Sequence, residues 1–382
     1  MTIEHRNMKS GFKRIPDSVD SPSYICPPMN ISETLASWYQ LNKRELPWRS
    51  TTDPYLIWLS EVILQQTRVN QGMDYYFRFV DRFPDVYSLA EATEEEVLKL
   101  WQGLGFYSRA RNMHSAARSI VRESGGVFPS DYLGLLKIKG VGEYTAAAIA
   151  SISFNEAVPV VDGNVARVLS RLYALEVAVD TSAGLKMLRQ LAKELIPLSD
   201  PATFNQAIME FGALQCKPLN ADCETCPLRL ECRACEKMKV QEYPKKQNRT
   251  KVKELYYYYL VITFPVKGKD HVLLHRREKN GIWKNMYDFP LIDSEAVLEI
   301  PQALGSGLAA SLLGKEDPGR LYVSSEYIHL LSHRKITARF IRFRLEDEPI
   351  NKGAFISIPV TEIIQYPIPR LIELYLEKEG LI

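Results

Sequence analysis

Five of the chain's six cysteines fall between positions 216 and 235, at Cys216, Cys223, Cys226, Cys232 and Cys235, and the sixth, Cys26, stands far upstream. Such a segment cannot run on as a regular helix or strand. Pro218 and Pro227 interrupt both, and thiols so closely spaced meet only if the chain wraps around a common centre. The N-terminus, MTIEHRNMKSGFKRIPDSVDSPSY, has no apolar stretch of the kind a secretory leader carries. A reducing, cytosolic setting is therefore expected, and there crowded thiols point to a metal rather than to disulfides. Two ligand sets are open. Cys216, Cys223, Cys226 and Cys232 give the spacing C-x6-C-x2-C-x5-C, while Cys223, Cys226, Cys232 and Cys235 give two C-x2-C pairs. Tetrahedral sulfur suits either an iron–sulfur cluster or zinc.

The cysteine segment divides two unlike stretches. Residues 1–30 are polar, marked by Pro and Ser, and are expected to be a flexible tail. From Ser32, an expected N-cap, to about Pro218 the chain reads as successive helices. LIWLSEVILQQTR (56–68) carries apolar positions at helical spacing, and SLAEATEEEVLKLW (88–101) holds a possible cap at Thr93. A helical unit over 31–240 follows. KKQNRTKVK (245–253) has five basic residues and no acid, and 241–255 is expected to be an exposed linker. Beyond it YYYYLVITF (256–264), HVLLHRR (271–277) and KITARFIRFRL (335–345) read as strands, so 256–382 is expected to be an α+β domain with an antiparallel sheet. The formal net charge is only +2, so contact with phosphate must come from local patches. With 46% hydrophobic and 25% charged residues the chain is not disordered throughout, and no apolar run reaches the ~20 residues a membrane span needs.

One such patch is LLKIKGVGEYTAAAIAS (135–151), where Gly140, Val141 and Gly142 lie between two helical stretches. Two glycines one residue apart allow a tight hairpin with outward-facing amides. Together with the next helix N-terminus these can hold a phosphate oxygen, with Lys137 and Lys139 alongside. That contact positions a protein on DNA without reading its sequence. Arg109 and Arg111, on a basic helix face, are further candidates for phosphate contact.

The hairpin, the aspartate of VVDGNV (160–165) and the C-x6-C-x2-C-x5-C segment, in that order, resemble the helix–hairpin–helix DNA glycosylases that carry a four-iron cluster. ELPWR (45–49), SEVILQQTRV (60–69), GLGFYSRARN (103–112) and FNQAIMEFGALQC (204–216) resemble the adenine glycosylase branch, the MutY type. Relatives of the endonuclease III type have a Schiff-base lysine where this chain has Tyr144. The resemblance spans about 32–375. It implies a multidomain protein, an all-α glycosylase followed by an α+β Nudix-like domain, and one [4Fe-4S] cluster on Cys216, Cys223, Cys226 and Cys232. It also implies a monofunctional hydrolase that removes adenine mispaired with 8-oxoguanine or guanine in duplex DNA. A monomer in the bacterial cytoplasm, at the nucleoid, is the accompanying expectation.

Cleaving a purine N-glycosidic bond needs a proton for the leaving base and a negative charge beside the sugar. Two carboxylates in unlike surroundings divide those tasks. Glu61 lies in the apolar stretch WLSEVIL, where desolvation raises a carboxyl and makes it a donor. The resemblance assigns it to adenine N7 and then to water. It assigns Asp162 to the oxocarbenium ion and makes Tyr144 and Asn164 helpers. Arg44, Leu46, Trp48, Arg49 and Gln206 match positions lining the base pocket. Gln66 and Thr67 match the wedge that meets the opposite base, and Phe106 stands where a tyrosine is usual. In the C-terminal domain GIWKNMYDFP (281–290) matches a Nudix-like segment, but no REx2E acidic box is present, so recognition rather than hydrolysis is expected. Leu331, Ser332 and His333 stand where Phe-Ser-His is usual beside 8-oxoguanine. Ser332 would accept the N7 proton that the lesion has and guanine lacks.

Overall fold

A computed structural model of the chain describes residues 30–247, 252–313 and 321–381. The expected tail, apart from residue 30, lies outside them, as does Cys26. The first unit is helical: α1 (Ile31–Asn42), α2 (Pro54–Leu64), α3 (Val69–Arg82), α4 (Val86–Glu91), α5 (Glu94–Trp101), α6 (Ser108–Ser124), α7 (Tyr132–Leu135), α8 (Glu143–Phe154), α9 (Gly163–Tyr173), α10 (Ser182–Leu195), α11 (Pro201–Leu214) and the short α12 (Arg233–Glu236). Polar caps set the starts. Asp53 accepts from the Tyr55 amide at 2.8 Å ahead of Pro54, and Thr93 forms a reciprocal capping box with Glu96. Each such cap contributes about 1 kcal/mol. The first helix departs from expectation. Asn30 caps α1, and Ser32 sits inside it with its hydroxyl donated to the Leu195 carbonyl.

The second unit is a sheet of β1 (Lys253–Val266), β2 (Lys269–Arg276), β3 (Tyr287–Asp288), β4 (Leu291–Ser294), β5 (Tyr322–Val323), β6 (Tyr327–Leu331), β7 (Arg334–Arg344) and β8 (Ile356–Pro359), with α13 (Ile300–Leu304), α14 (Gly307–Leu313) and α15 (Arg370–Lys378). The expected antiparallel sheet is in fact mixed. β1 and β7 pair in parallel along eleven register positions, from Lys253↔Arg334 to Thr263↔Arg344. A parallel pair needs a long crossover, and the stretch holding α13 and α14 supplies one. The alternation of residues along each strand reveals its buried face but not its direction. Tyr375 of α15 stacks on Phe340 of β7 at 3.8 Å and 8°, which closes the core on one face of the sheet.

The stretch expected as a linker is taken up at both ends. Tyr243 is buried, the Lys245 carbonyl accepts from the Val179 amide, and β1 already begins at Lys253. Helix α5 seats the second unit on the first. Glu94 accepts from Asn285, Glu95 from Tyr287, and Lys99 donates to the Tyr366 carbonyl at 3.2 Å.

Candidate active site

Helices α2, α8, α9 and α11 surround a cavity of about 940 Å³. Glu61, Tyr144, Asp162 and Asn164 all line it, as do Arg44, Leu46, Trp48, Arg49, Thr67 and Gln206. Glu61 lies on the inward face of α2, among Ile57, Trp58 and Val62, and is only 7% exposed. Tyr144, in the first turn of α8, donates its hydroxyl to Glu61 Oε2 at 2.5 Å. Burial pushes the Glu61 carboxyl up to about 7, and the Asp162 charge adds to this, against the lowering pull of the Tyr144 hydrogen bond and of Arg49. Burial and the same two carboxylates hold the Tyr144 phenol well above its usual range, so it stays a donor.

Asp162 has two jobs in one residue. It is the N-cap of α9, with Oδ1 accepting from the Val165 amide at 2.7 Å and Oδ2 from Asn164 Nδ2 at 2.9 Å. Burial raises its carboxyl, while those hydrogen bonds favour the anion. Asn164 Oδ1 in turn accepts from Arg167 at 2.8 Å, and Arg167 Nε donates to the Cys216 carbonyl at 2.8 Å. A continuous polar chain thus runs from the carboxylate to the first residue of the cysteine segment. Gly212 of α11 permits this arrangement. A Cβ there would sit 2.7 Å from Asn164 Cβ and 3.0 Å from its carbonyl oxygen.

Two residues that sequence reasoning passed over organise the rest of the pocket. Glu210 is 1% exposed, and its carboxylate accepts from both Arg44 (2.6 and 2.8 Å) and Arg49 (2.8 and 3.0 Å). Burial pushes this carboxyl up, but the two guanidinium groups outweigh burial and hold it at about 2. The two arginines therefore line the pocket held in place by one shared carboxylate, which offsets only one of their two positive charges. Tyr39 of α1 is the second, donating its hydroxyl to Gln206 Oε1 at 2.8 Å. Glu210 carried the same signal as Glu61, an acid inside an apolar helical stretch. Tyr39 carried none.

The hairpin between α7 and α8 uses its glycines unequally. Gly140 has φ +93° and packs against Asn112, where a Cβ would meet carbon at 3.1 Å, so any side chain there would be strained and would crowd its neighbour. Gly142 has φ −87° and caps α8 in open space. The Val141 side chain is buried and its amide is consumed by the Ile138 carbonyl. The donors left for an anion are thus those at the start of α8.

Arg109 and Arg111 do not form a free basic face. Arg109 donates to the carbonyls of Val62, Ile63 and Gln65 at the end of α2 and to those of Leu104 and Gly105. Its guanidinium lies 4.9 Å over Trp101, and burial pulls it down to about 10. Arg111 donates to the Lys284 carbonyl across the domain boundary at 3.0 Å. Helix C-terminal carbonyls attract a cation for the same dipolar reason that phosphates do, and the fold uses Arg109 there. Arg109 thereby ties together two turns, one with Gln66 at φ +56° and one with Phe106 at φ +48°.

Between the domains lies a second cleft of about 600 Å³. Phe106, 46% exposed, lines it from the helical side, and Leu331, Ser332 and His333 line it from the sheet. Ser332 and His333 form the two-residue turn joining β6 to β7, with Leu331 paired to Arg334. The fold thus brings Phe106 and the 331–333 turn together. Thr67 faces the first cavity instead, and Gln66 stands exposed on its turn, lining neither.

Cys216, Cys223, Cys226, Cys232 and Cys235 line one small apolar cavity, and none is in a disulfide. Arg171, 2% exposed, donates to Cys216 Sγ at 3.4 Å and to the carbonyls of Lys217, Pro218, Val240 and Tyr243, binding the segment to α9. A thiol set with one cationic donor fits an anionic iron–sulfur centre.

The chain matches the HhH-GPD superfamily of base excision DNA repair proteins over residues 59–198 and the NUDIX domain over residues 261–378. It is 34% identical to the adenine DNA glycosylase of Buchnera aphidicola subsp. Baizongia pistaciae, with 68% of this chain and 72% of the relative covered. Against the adenine DNA glycosylases of Mus musculus and Homo sapiens the identities are 34% and 32%. Both cover 82% of this chain, and 70% and 67% of the relatives. Among solved structures, a thermostable thymine-DNA glycosylase aligns at 28% identity with a TM-score of 0.51, covering 54% of this chain and 95% of its own. With its two carboxylates in one cavity and a Nudix-like domain behind them, this chain belongs to the adenine DNA glycosylase family, as a monofunctional hydrolase of base-excision repair.

Proposed function

We propose that the chain hydrolyses the N-glycosidic bond of adenine mispaired with 8-oxoguanine, or with guanine, in duplex DNA. The carrying observation is that Glu61 and Asp162 share one cavity in unlike surroundings: a dry carboxyl held near 7 and a helix-capping carboxylate with two donors. Adenine turned out of the helix enters beside Leu46, Trp48 and Gln206. Glu61, protonated in about half of the molecules at neutral pH, gives its proton to adenine N7 as the bond between C1′ and N9 breaks and its electron pair leaves with the base. The Asp162 carboxylate faces the resulting oxocarbenium ion, by charge or through a transient acetal. Glu61, now ionised, takes a proton from the water that attacks C1′. Tyr144 holds Glu61 Oε2, and a phenol cannot form the imine on which lyase chemistry depends.

The opposite base belongs to the interdomain cleft. On this reading Ser332 accepts a hydrogen bond from N7–H of 8-oxoguanine, with His333 beside the backbone and Phe106 and Leu331 as apolar wedges; their shared lining of one cleft supports it. A [4Fe-4S] cluster on Cys216, Cys223, Cys226 and Cys232 would brace the segment that the polar chain connects to Asp162. Its chemistry there is structural and electrostatic.

Single-turnover excision on duplexes carrying adenine opposite 8-oxoguanine, guanine or thymine tests this reading. Adenine should leave fastest opposite 8-oxoguanine, and Ser332→Ala with His333→Ala should reduce the 8-oxoguanine-to-guanine rate ratio by about tenfold. One hydrogen bond of about 0.5–1.5 kcal/mol accounts for most of that factor. An unchanged ratio in the double variant would remove the sheet domain from lesion reading.

A further inference from the structure

The polarity of the base pocket is set from behind, by Tyr39. This residue of α1 is 5% exposed, and two cations lie near its ring, with Arg49 at 5.4 Å and Lys43 at 5.6 Å from the centroid. Arg49 is itself anchored on Glu210, so the ring has a fixed seat. The hydroxyl has one proton, and it goes to Gln206 Oε1 at 2.8 Å. Turned over, the amide would face the phenol with its own N–H groups and deprive the phenol proton of that acceptor. The phenol oxygen could accept from the turned amide, but the phenol proton would then have no acceptor among the described residues, so the contact favours one of two amide orientations of nearly equal shape. In that orientation Gln206 Nε2, which has no protein partner among the described residues, is the atom left for the cavity that Gln206 lines with Glu61 and Asp162.

We propose that Tyr39 is a specificity-determining residue. It locks the Gln206 amide so that the pocket offers an N–H donor, and it thereby selects a purine whose facing edge carries a lone pair. The inference rests on the proposal that adenine occupies this cavity. Glu61 claims N7 of that base, which leaves the Gln206 donor to N1 or N3. A base bearing N–H at the same place would meet donor against donor.

The test compares single-turnover excision of adenine, 1-deazaadenine and 3-deazaadenine opposite 8-oxoguanine by the parent protein and by Tyr39→Phe. Phenylalanine keeps the ring and its cation contacts, so the melting temperature should fall by no more than about a few degrees, the loss of one hydrogen bond. The parent should release one of the two deaza bases at least fivefold more slowly than adenine. In Tyr39→Phe that deficit should shrink to within twofold, with adenine itself slowed about two- to tenfold. Comparing ratios between the two proteins cancels the intrinsic lability of each nucleoside. Gln206→Met, which has no donor, should flatten the ratios in the same way. Retention of the parent's ratios by Tyr39→Phe would overturn the assignment, and so would a parent that treats all three bases alike. Failure of the parent to release adenine at all would instead overturn the functional reading beneath it.

Discussion

Glu61→Gln should remove the activity and strengthen the fold, and the size of the second effect follows from the site. The folded carboxyl titrates at about 7 against an ordinary 4.5, chiefly because burial disfavours its charge. Below pH 4.5 the side chain is protonated both folded and unfolded, so the parent loses nothing. As pH rises from 4.5 the unfolded chain ionises first, the folded state binds more protons, and stability falls until about pH 7, where the folded carboxyl also ionises. Each tenfold difference in proton affinity is worth about 1.4 kcal/mol, so the loss saturates on the order of 3 kcal/mol. Glutamine is neutral throughout and can still accept from Tyr144. The variant should therefore match the parent near pH 4.5 and exceed it by about 3 kcal/mol at pH 8, roughly 6–12 °C in the melting temperature of a domain this size. Paired melts at one scan rate across pH 4.5–8 measure this, and single-turnover assays on the same preparations should give at least a 10²–10⁴-fold loss of adenine release. The parent's excision rate should itself fall as pH rises through about 7. A stability difference that is flat with pH, or a variant no more stable than the parent at pH 8, would refute the buried, proton-holding carboxyl.

Gly212→Ala should cut the excision rate at least tenfold with little change in duplex affinity, because the added carbon would push Asn164, and with it Asp162, away from the cavity. Pre-steady-state rates beside equilibrium binding check the split. Arg109→Lys should lower stability by about 2 kcal/mol, since one ammonium cannot serve the carbonyls that the guanidinium joins. The salt dependence of duplex binding should stay unchanged, because this cation meets no phosphate, whereas a slope reduced by about one would restore the phosphate contact. The purified protein should carry iron and sulfide, keep both in Cys235→Ala, and lose both in Cys223→Ala. One zinc and no iron would favour the two-pair ligand set instead.

Much of this protein is visible in short stretches of its sequence because the causes are themselves local. Asp53 and Thr93 cap helices by reaching two or three residues along the chain. The cysteines are close in sequence, and the prolines among them leave few ways to fold the segment. A glutamate set in WLSEVIL has apolar neighbours on its own helix, which points to a desolvated carboxyl, although its packing against Tyr144 and Asp162 completes the site. The strands show themselves by alternation.

Tertiary structure decided which partner each long polar side chain takes. Arg44 and Arg49 could have faced a substrate, but Glu210, 166 and 161 residues away, claims both. Arg109 reads as a phosphate contact on its own helix and becomes the brace of another helix's carbonyl end. Tyr39 has no functional signature until Gln206, 167 residues on, comes within 2.8 Å of it. The parallel pairing of β1 with β7 is of the same kind. Burial and backbone capping depend on neighbouring residues and so can be read from a segment. A hydrogen-bond partner for a flexible charged or amide group is chosen only when distant elements pack, because several partners are chemically equivalent and the geometry of the closed core admits one.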